Sequence, residues 1–347
     1  MKILAFESTC DETAAAVVED GRRVLSDVIA SQADMHALYG GVVPEIASRK
    51  HVEVIAALAE QALDRANCRR KDIGAVAASY APGLIGAVLV GWSFAKSISF
   101  GLGVPLIPVH HVRGHIAAGY IAFPDLKPPF LALAISGGNT LIVDVRDYTD
   151  MAVLGSTRDD AAGECFDKAA RVLGLPYPGG RPLDELARQS AGGVYALPHA
   201  QVDGAPLDMS FSGLKTAVVN LAHHAAQVGE ELDRAALARD FTRAVSDTLV
   251  PRTMEAARQA GRKTIVAAGG VAANSIIRAD LERACREAGC RLYLPPLALC
   301  GDNGAMIGAQ GYYEYLAGNT AGMDLNAYAT RDISAQVPRK SEYPANL

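Results

Sequence analysis

The sequence predicts an α/β protein built as two related lobes, and three observations carry that expectation. The chain has 347 residues, 50% of them hydrophobic, enough for two domains of about 100–200 residues each. Strand-like runs alternate with helix-like ones, as an α/β architecture requires. The chain also repeats a pattern. Residues 3–18, ILAFESTCDETAAAVV, and residues 130–145, FLALAISGGNTLIVDV, both run apolar, polar, apolar. Each reads as a β-hairpin with a tip of Ser, Thr, Gly, Asn, Asp or Glu. Two such hairpins imply two lobes, each opening its own sheet.

The remaining elements follow in order. Residues 43–66 are amphipathic, with Ile46, Val54, Ile55, Leu58 and Leu63 as a stripe for a core or a partner helix. From Leu84 to Val109 the only charge is Lys96, and several glycines and prolines punctuate the run. A buried helix and then a buried strand explain it better than a membrane span of about 20 residues, so no membrane is expected. After Pro105 and Pro108 a helix is expected from about His110. Gly114 costs it about 1 kcal/mol relative to Ala and leaves room for another backbone or a ligand. Pro178-Gly179-Gly180-Arg181-Pro182 leads into a helix near Leu183. Residues 233–260 form a long helical region that Pro251 kinks or divides. Residues 264–281, TIVAAGGVAANSIIRADL, read as strand, Gly-Gly turn and helix. Residues 303–317 hold Gly304, Ala305, Gly308 and Ala309, a small-residue face suited to close packing. The tail after about Asn326 is polar and aperiodic and is expected to be loosely ordered.

Charge narrows the function. The net charge is −5, from 33 basic and 38 acidic residues, which gives no global signal for nucleic acid. Arg22-Arg23, Arg49-Lys50-His51 and Arg69-Arg70-Lys71 read as solvated faces. Six scattered cysteines without a C-x-x-C pair argue against a zinc ribbon or a disulfide framework and fit a reducing compartment. Strand-like residues from Lys2 leave no room for a signal peptide. A cytoplasmic location is therefore expected.

The chemistry-bearing residues centre on His111 and His115. Two histidines four apart share one helix face and can grip one metal ion as neutral imidazoles. A carboxylate is the usual third ligand, and Asp159, Asp160, Glu164, Asp167 and Asp302 are candidates. Asp302, in LCGDNGAM, stands at a helix start, where Asp is also a good cap. A metallopeptidase helix would read H-E-x-x-H, with the Glu as general base. Here Val112 occupies that position and Arg113 follows, which counts against hydrolysis by that route. The tip Ser136-Gly137-Gly138-Asn139-Thr140 can turn backbone N–H groups onto an oxyanion or phosphate, or make a plain tight turn. The Gly269-Gly270 turn suits an anion or a nucleotide, although the chain has neither G-x-G-x-x-G nor a Walker A sequence. Asp184 and Glu185 favour a helix dipole or hold ribose hydroxyls. Asn274 is a turn or cap residue, or reads an adenine edge.

Taken together, these strings resemble the tRNA N6-adenosine threonylcarbamoyltransferase family, formerly described as O-sialoglycoprotein endopeptidase. The resemblance runs to about Leu325 and rests on ESTCDET, GGVVPEIASRKH, APGLIGAVLVG, HHVRGH, ISGGNT, DDAAGECFDKAARVLGLPYPGG, SFSGLKTA, GGVAANS and LCGDNGAM, in that order. It implies the two-lobed fold of actin, sugar kinases and heat-shock ATPases, with a nucleotide cleft between lobes. Residues 1–108 plus about 303–325 would form the first lobe, 109–302 the second, and 326–347 a tail. The resemblance makes His111, His115 and Asp302 the ligands of one divalent metal, iron (Fe2+) or zinc (Zn2+). It implies that Ile135, Ser136, Gly137, Gly138, Asn139, Asp167, Gly180, Asp184 and Asn274 contact the bound adenylate.

The implied reaction moves threonylcarbamoyl from threonylcarbamoyl-adenylate to N6 of adenosine 37, in tRNAs reading codons that start with A, and releases AMP. Asp11 would position the amine or accept its proton. The implied partners are tRNA, a smaller paralogous subunit docked on first-lobe helices including residues 43–66, and a P-loop ATPase subunit. The alternative within the same fold is an ATPase or small-molecule kinase. This chain departs from the family pattern in three places. Asn139 stands where the family usually has His. Arg113 replaces a commonly acidic residue. Gly301 and Gly304 stand where Thr and Ala are more usual, which is expected to loosen the helix start beside Asp302.

Overall fold

The computed structural model describes residues 1–199 and 201–337. The first apolar run becomes β1 (Lys2–Glu7) and its partner β2 (Glu12–Glu19), paired antiparallel. Both faces of β1 are covered: Ile3 and Ala5 point to one core, Leu4 and Phe6 to another. That is why Ile3 to Phe6 are all apolar rather than alternating. β3 (Arg23–Ser31) continues the antiparallel meander. A short α1 (Ala33–Ala37) and the long α2 (Pro44–Arg65) follow. β4 (Ala75–Ala81), α3 (Ile85–Leu102) and β5 (Leu106–His110) complete a sheet of order β3-β2-β1-β4-β5, with β4 and β5 parallel to β1.

The second half repeats this plan strand for strand. α4 (His111–Ala122) leads into the second hairpin, β6 (Phe130–Ile135) and β7 (Thr140–Val145), followed by β8 (Met151–Ser156). Among the described residues four helices intervene: α5 (Ala162–Val172), α6 (Gly180–Ala187), α7 (Ser212–Val228) and α8 (Arg234–Gln259). β9 (Thr264–Ala268), α9 (Ser275–Glu287) and β10 (Arg291–Tyr293) close a sheet of order β10-β9-β6-β7-β8. Here too the hairpin strands are antiparallel and the two later strands parallel. The hairpin echo in the sequence is thus the visible part of a whole duplicated sheet.

Two helices cross between the halves. α4 follows β5, yet it packs against β6 and β9 of the second sheet. α10 (Gly304–Leu316) follows β10, yet it packs against β1 and β2 of the first. α4 and α10 also pack on each other. Small residues make this possible. A Cβ at Gly304 would lie 2.8 Å from the Ala16 nitrogen, and one at Gly308 would lie 2.6 Å from Val18 Cγ2. Gly114 admits Ile307 of α10, whose Cδ1 would be 2.7 Å from an added Cβ. The space left by Gly114 is therefore filled by a packed helix and not by a ligand.

Several expectations need correction. The chain beyond Asn326 is a packed strap as far as Val337, with Ala327, Ile333 and Val337 buried. Tyr328 N–H donates to Tyr80 O, and Arg331 lies over the Tyr80 and Tyr328 rings. Pro338 and Pro344 lie outside the described residues. Pro251 sits inside one continuous helix. The helix expected near Leu183 begins at Gly180. His51, read as part of a solvated basic face, is fully buried and bonds to Thr13 and to the Cys10 carbonyl. The start of α10 is firmly capped: Asn303 Oδ1 accepts the Met306 N–H at 2.8 Å and Asp27 accepts the Gly304 N–H.

Candidate active site

His111 and His115 lie where strand gives way to helix. His110 ends β5, and α4 begins at the next residue, so His111 is placed at the edge of the first sheet beside the tip after β1. That tip, Ser8–Asp11, is buried (Cys10 partly), and Glu7 sits at its base. Glu7 Oε2 lies 2.9 Å from His111 Nδ1, and Thr9 Oγ1 lies 3.1 Å from the same nitrogen. These partners fix the ring, leaving Nε2 directed toward Asp302 Oδ1 at 3.7 Å. His115, one turn on, places Nε2 3.1 Å from the same oxygen. One donor atom from each of the three residues falls within 4.8 Å of the others.

The donor set fits a metal ion. His115 is buried, and neither of its ring nitrogens has a hydrogen-bond partner. Its Nε2 is near Asp302 but lacks hydrogen-bond alignment. A buried imidazole left so costs free energy unless an ion takes the lone pair. Two imidazoles and a carboxylate with room for further ligands suit iron or zinc. The Glu7–His111 contact is the carboxylate support that ligating histidines commonly have. The carboxylates also draw positive charge to the site, a proton on His111 or, in its place, a metal ion. Burial alone would lower His111, but the Glu7 and Asp302 carboxylates raise it to about 9. Burial would raise Asp302, but His111 and His115 hold it at about 2.

The other candidate acids lie elsewhere. Asp159 accepts from Ser210, Ser212 and the Phe211 N–H at the start of α7. Asp160 pairs with Lys168 and Lys215, and Glu164 with Lys168. Arg113 points away from the histidines. Its guanidinium bonds to Glu314 and to the Ile333 carbonyl.

The second-half candidates form one rim. Ser136 N–H donates to Asn139 O, closing the second tip, and the Gly137 and Gly138 Cα atoms face open space. Gly163 and Gly269 hold this tip from two sides: a Cβ on either would lie 2.4 Å from the Ser136 or the Ile135 carbonyl oxygen. Gly269 has φ +91, a conformation that only glycine adopts readily. Asp167 accepts the Gly179 N–H at 2.8 Å, and Gly180 faces open space. Asp184 accepts from the N–H and hydroxyl of Ser275. The preceding Asn274 caps α9 through Oδ1 and keeps a buried Nδ2 without a partner. The turn residue thus caps a helix and offers a free donor at once.

The two sides meet at Asp11. The Tyr177 hydroxyl donates to Asp11 Oδ2 at 3.2 Å, joining the first tip to the segment before α6. Sequence reading missed Glu7, Thr9 and Tyr177 as site residues. An acid ending an apolar strand was the available signal for Glu7. Nothing local marks Tyr177.

Residues 23–309 match the family model described as "TsaD: tRNA N6-adenosine threonylcarbamoyltransferase". A protein of that name from Moorella thermoacetica is 53% identical over 325 residues, covering 94% of this chain and 95% of its own length. One from Clostridium botulinum is 50% identical over 327 residues, covering 94% and 96%. Among solved structures, T. kodakarensis HypF superposes with TM-score 0.60 at 16% identity, over 92% of this chain and 48% of its own. The (R)-2-hydroxyglutaryl-CoA dehydratase component A of Acidaminococcus fermentans gives 0.54 at 14%, over 91% and 99%. At such identities these two share the fold, a two-lobed α/β architecture of the actin-like type.

Proposed function

The chain belongs to the tRNA N6-adenosine threonylcarbamoyltransferase family, and we propose that it transfers threonylcarbamoyl from threonylcarbamoyl-adenylate to N6 of adenosine 37 in tRNAs reading codons that start with A, releasing AMP. An adenylate is a mixed anhydride and already activated, so no protein nucleophile is needed. The observation that supports this reading best is the donor cluster of His111, His115 and Asp302, with His115 buried and, among the described residues, without a hydrogen-bond partner. A divalent ion held there, iron or zinc, supplies positive charge against the oxygens of the donor.

The chain's own residues do the rest. Glu7 keeps His111 in one orientation. Backbone at Gly137, Gly138 and Gly180 faces open space and leaves room for the phosphate and sugar. Asn274 Nδ2 is a free donor for the adenine edge. Asp11, oriented by the Tyr177 hydroxyl, positions the attacking amine or accepts the proton it loses as AMP leaves. A backbone contact at Asn139 does not need the imidazole found there in other members. A kinase of the same fold would have no use for the histidine cluster.

The partners belong to the same proposal. The groove between α2 and α3, about 410 Å³ and lined by Val52, Ile55, Leu89 and Phe94 among others, exposes Val52 and Leu89. It suits helices of the smaller paralogous subunit. A P-loop ATPase subunit and tRNA complete the assembly, in the cytoplasm. With a net charge of −5, tRNA binding relies on local basic groups and weakens with salt.

The test combines protein, partner subunits, threonylcarbamoyl-adenylate and unmodified tRNA, followed by nucleoside analysis. Wild type makes modified adenosine. His111→Ala and His115→Ala lose the bound metal, measured by elemental analysis, and transfer less than a hundredth as fast while unfolding near the wild-type temperature. Full transfer by metal-free protein overturns the metal role. No product from wild type, where a known family member works, overturns the reaction.

A further inference from the structure

One exposed feature beside the cleft has no role in the site described above. Between α1 and α2 the chain makes a small loop with Leu38 84% and Tyr39 56% exposed. Neighbouring large side chains exposed together mark a candidate contact surface. The loop is not floppy at its base. Tyr39 and Gly41 N–H both donate to the carbonyl of buried His36, and Gly40 N–H donates to Ala37 O. His36 in turn contacts Gln32 through Nε2 and accepts the Val43 N–H at Nδ1. Gln32 N–H bonds to the carbonyl of Asp11. Tyr39 is therefore carried on a pinned loop that starts from the tip bearing Asp11.

The second half supplies the other lip. The Arg171 guanidinium carbon lies 3.4 Å from where a Cβ on Gly40 would be. Gly40 has φ +70 and no side chain, so the guanidinium can close over it. Arg171 is exposed, and its side chain has no hydrogen bond or ion pair among the described residues. It stands one helical turn beyond Asp167, on the same face of α5. An unpaired guanidinium and an exposed phenol ring at a cleft mouth match an unstacked base and its phosphate. Charge complementarity favours a partner that carries its own anion at this point, as a nucleic-acid backbone does.

We propose that Tyr39 and Arg171 form a docking lip for the tRNA anticodon loop, Tyr39 stacking on a base that flanks the modified adenosine and Arg171 holding a phosphate. This rests on the tRNA reading above and adds where the loop is gripped. Tyr39 and Arg171 are positioning residues and touch no reacting atom.

Steady-state transfer by the full assembly, with tRNA varied, tests it. Tyr39→Ala is expected to raise KM for tRNA about 10-fold, with kcat changed less than about 2-fold, and Tyr39→Phe to restore KM because the stack needs only the ring. Arg171→Ala is expected to lower the slope of log affinity against log salt by roughly 0.7. Thermal unfolding near that of wild type checks that the variants fold. Unchanged tRNA KM in Tyr39→Ala, with wild type active, overturns the docking lip and leaves the reaction standing. Loss of a partner subunit from the Tyr39→Ala assembly, seen by size-exclusion chromatography, identifies the loop as a protein contact and also overturns it. A wild type that modifies no tRNA overturns both readings.

Discussion

Glu7 ends a strand whose central residues, Ile3 to Phe6, are apolar, and its full burial is offset by directed contacts. Its carboxylate accepts the Thr9 N–H at 2.6 Å and a bond from Ser79, and it touches His111 Nδ1. A buried charge survives only when so satisfied. Asp167 makes a contrasting case. Burial raises it to about 6, with nearby Asp11 adding and the Gly179 N–H opposing. A folded pKa above the usual 3.8 means that the native state binds the extra proton between pH 3.8 and 6. The stabilisation from this proton is full at low pH and is lost as pH rises through about 6. Asp167→Asn should remove that component, so the variant-minus-wild-type difference in unfolding temperature grows between pH 4 and pH 7. A difference constant over that range would show that Asp167 titrates normally.

At the scale of elements, glycine decides where the second tip can sit. α5 approaches so closely at Gly163 that a methyl group would meet the Ser136 carbonyl oxygen at 2.4 Å and Gly137 Cα at 2.7 Å. Both are backbone atoms and cannot rotate away. Gly163→Ala should therefore cost about 1–3 kcal/mol, read by thermal unfolding, and also weaken adenylate binding, because the tip itself must move. The strands and the tip here were legible from apolar runs and Ser-Gly-Gly-Asn-Thr, while α5 was not read from the sequence. The contact at Gly163 was not legible either, because it joins residues far apart in the chain. Arg113 shows the same limit. Its place between two histidines was read only as counting against hydrolysis, and nothing in the sequence showed where its guanidinium goes. Two residues from either histidine on a helix is the opposite face, and there it meets Glu314, itself 1% exposed, and the strap at Ile333.

The whole molecule is a duplicated sheet with exchanged final helices. The exchange brings the start of α4 and the segment leading into α10 together, so His111 and Asp302 come from corresponding places in the two halves. Arg22 secures the arrangement. From the turn between β2 and β3 it donates to the carbonyls of Tyr120, Phe123, Pro124 and Leu126, and to the Tyr148 hydroxyl. Arg22→Ala leaves these acceptors to water and should cost roughly 2–3 kcal/mol, measured by urea unfolding. A loss under about 0.5 kcal/mol would show that the halves do not depend on this latch. Arg22 read as a solvated face because charge alone does not reveal which carbonyls a turn will meet.

The sequence by itself determined the two hairpins, the α/β class, the His-x-x-x-His pair and the family resemblance, because each is written in residues close along the chain. Only the tertiary structure decided why Glu7 is buried, that the tail packs as far as Val337, and that Tyr177 reaches Asp11, and it brings Asp302, which the resemblance had already implied, beside the histidines. Those outcomes depend on which distant segments share a surface, and a local pattern of apolar and polar residues fixes the faces of an element without naming its partner.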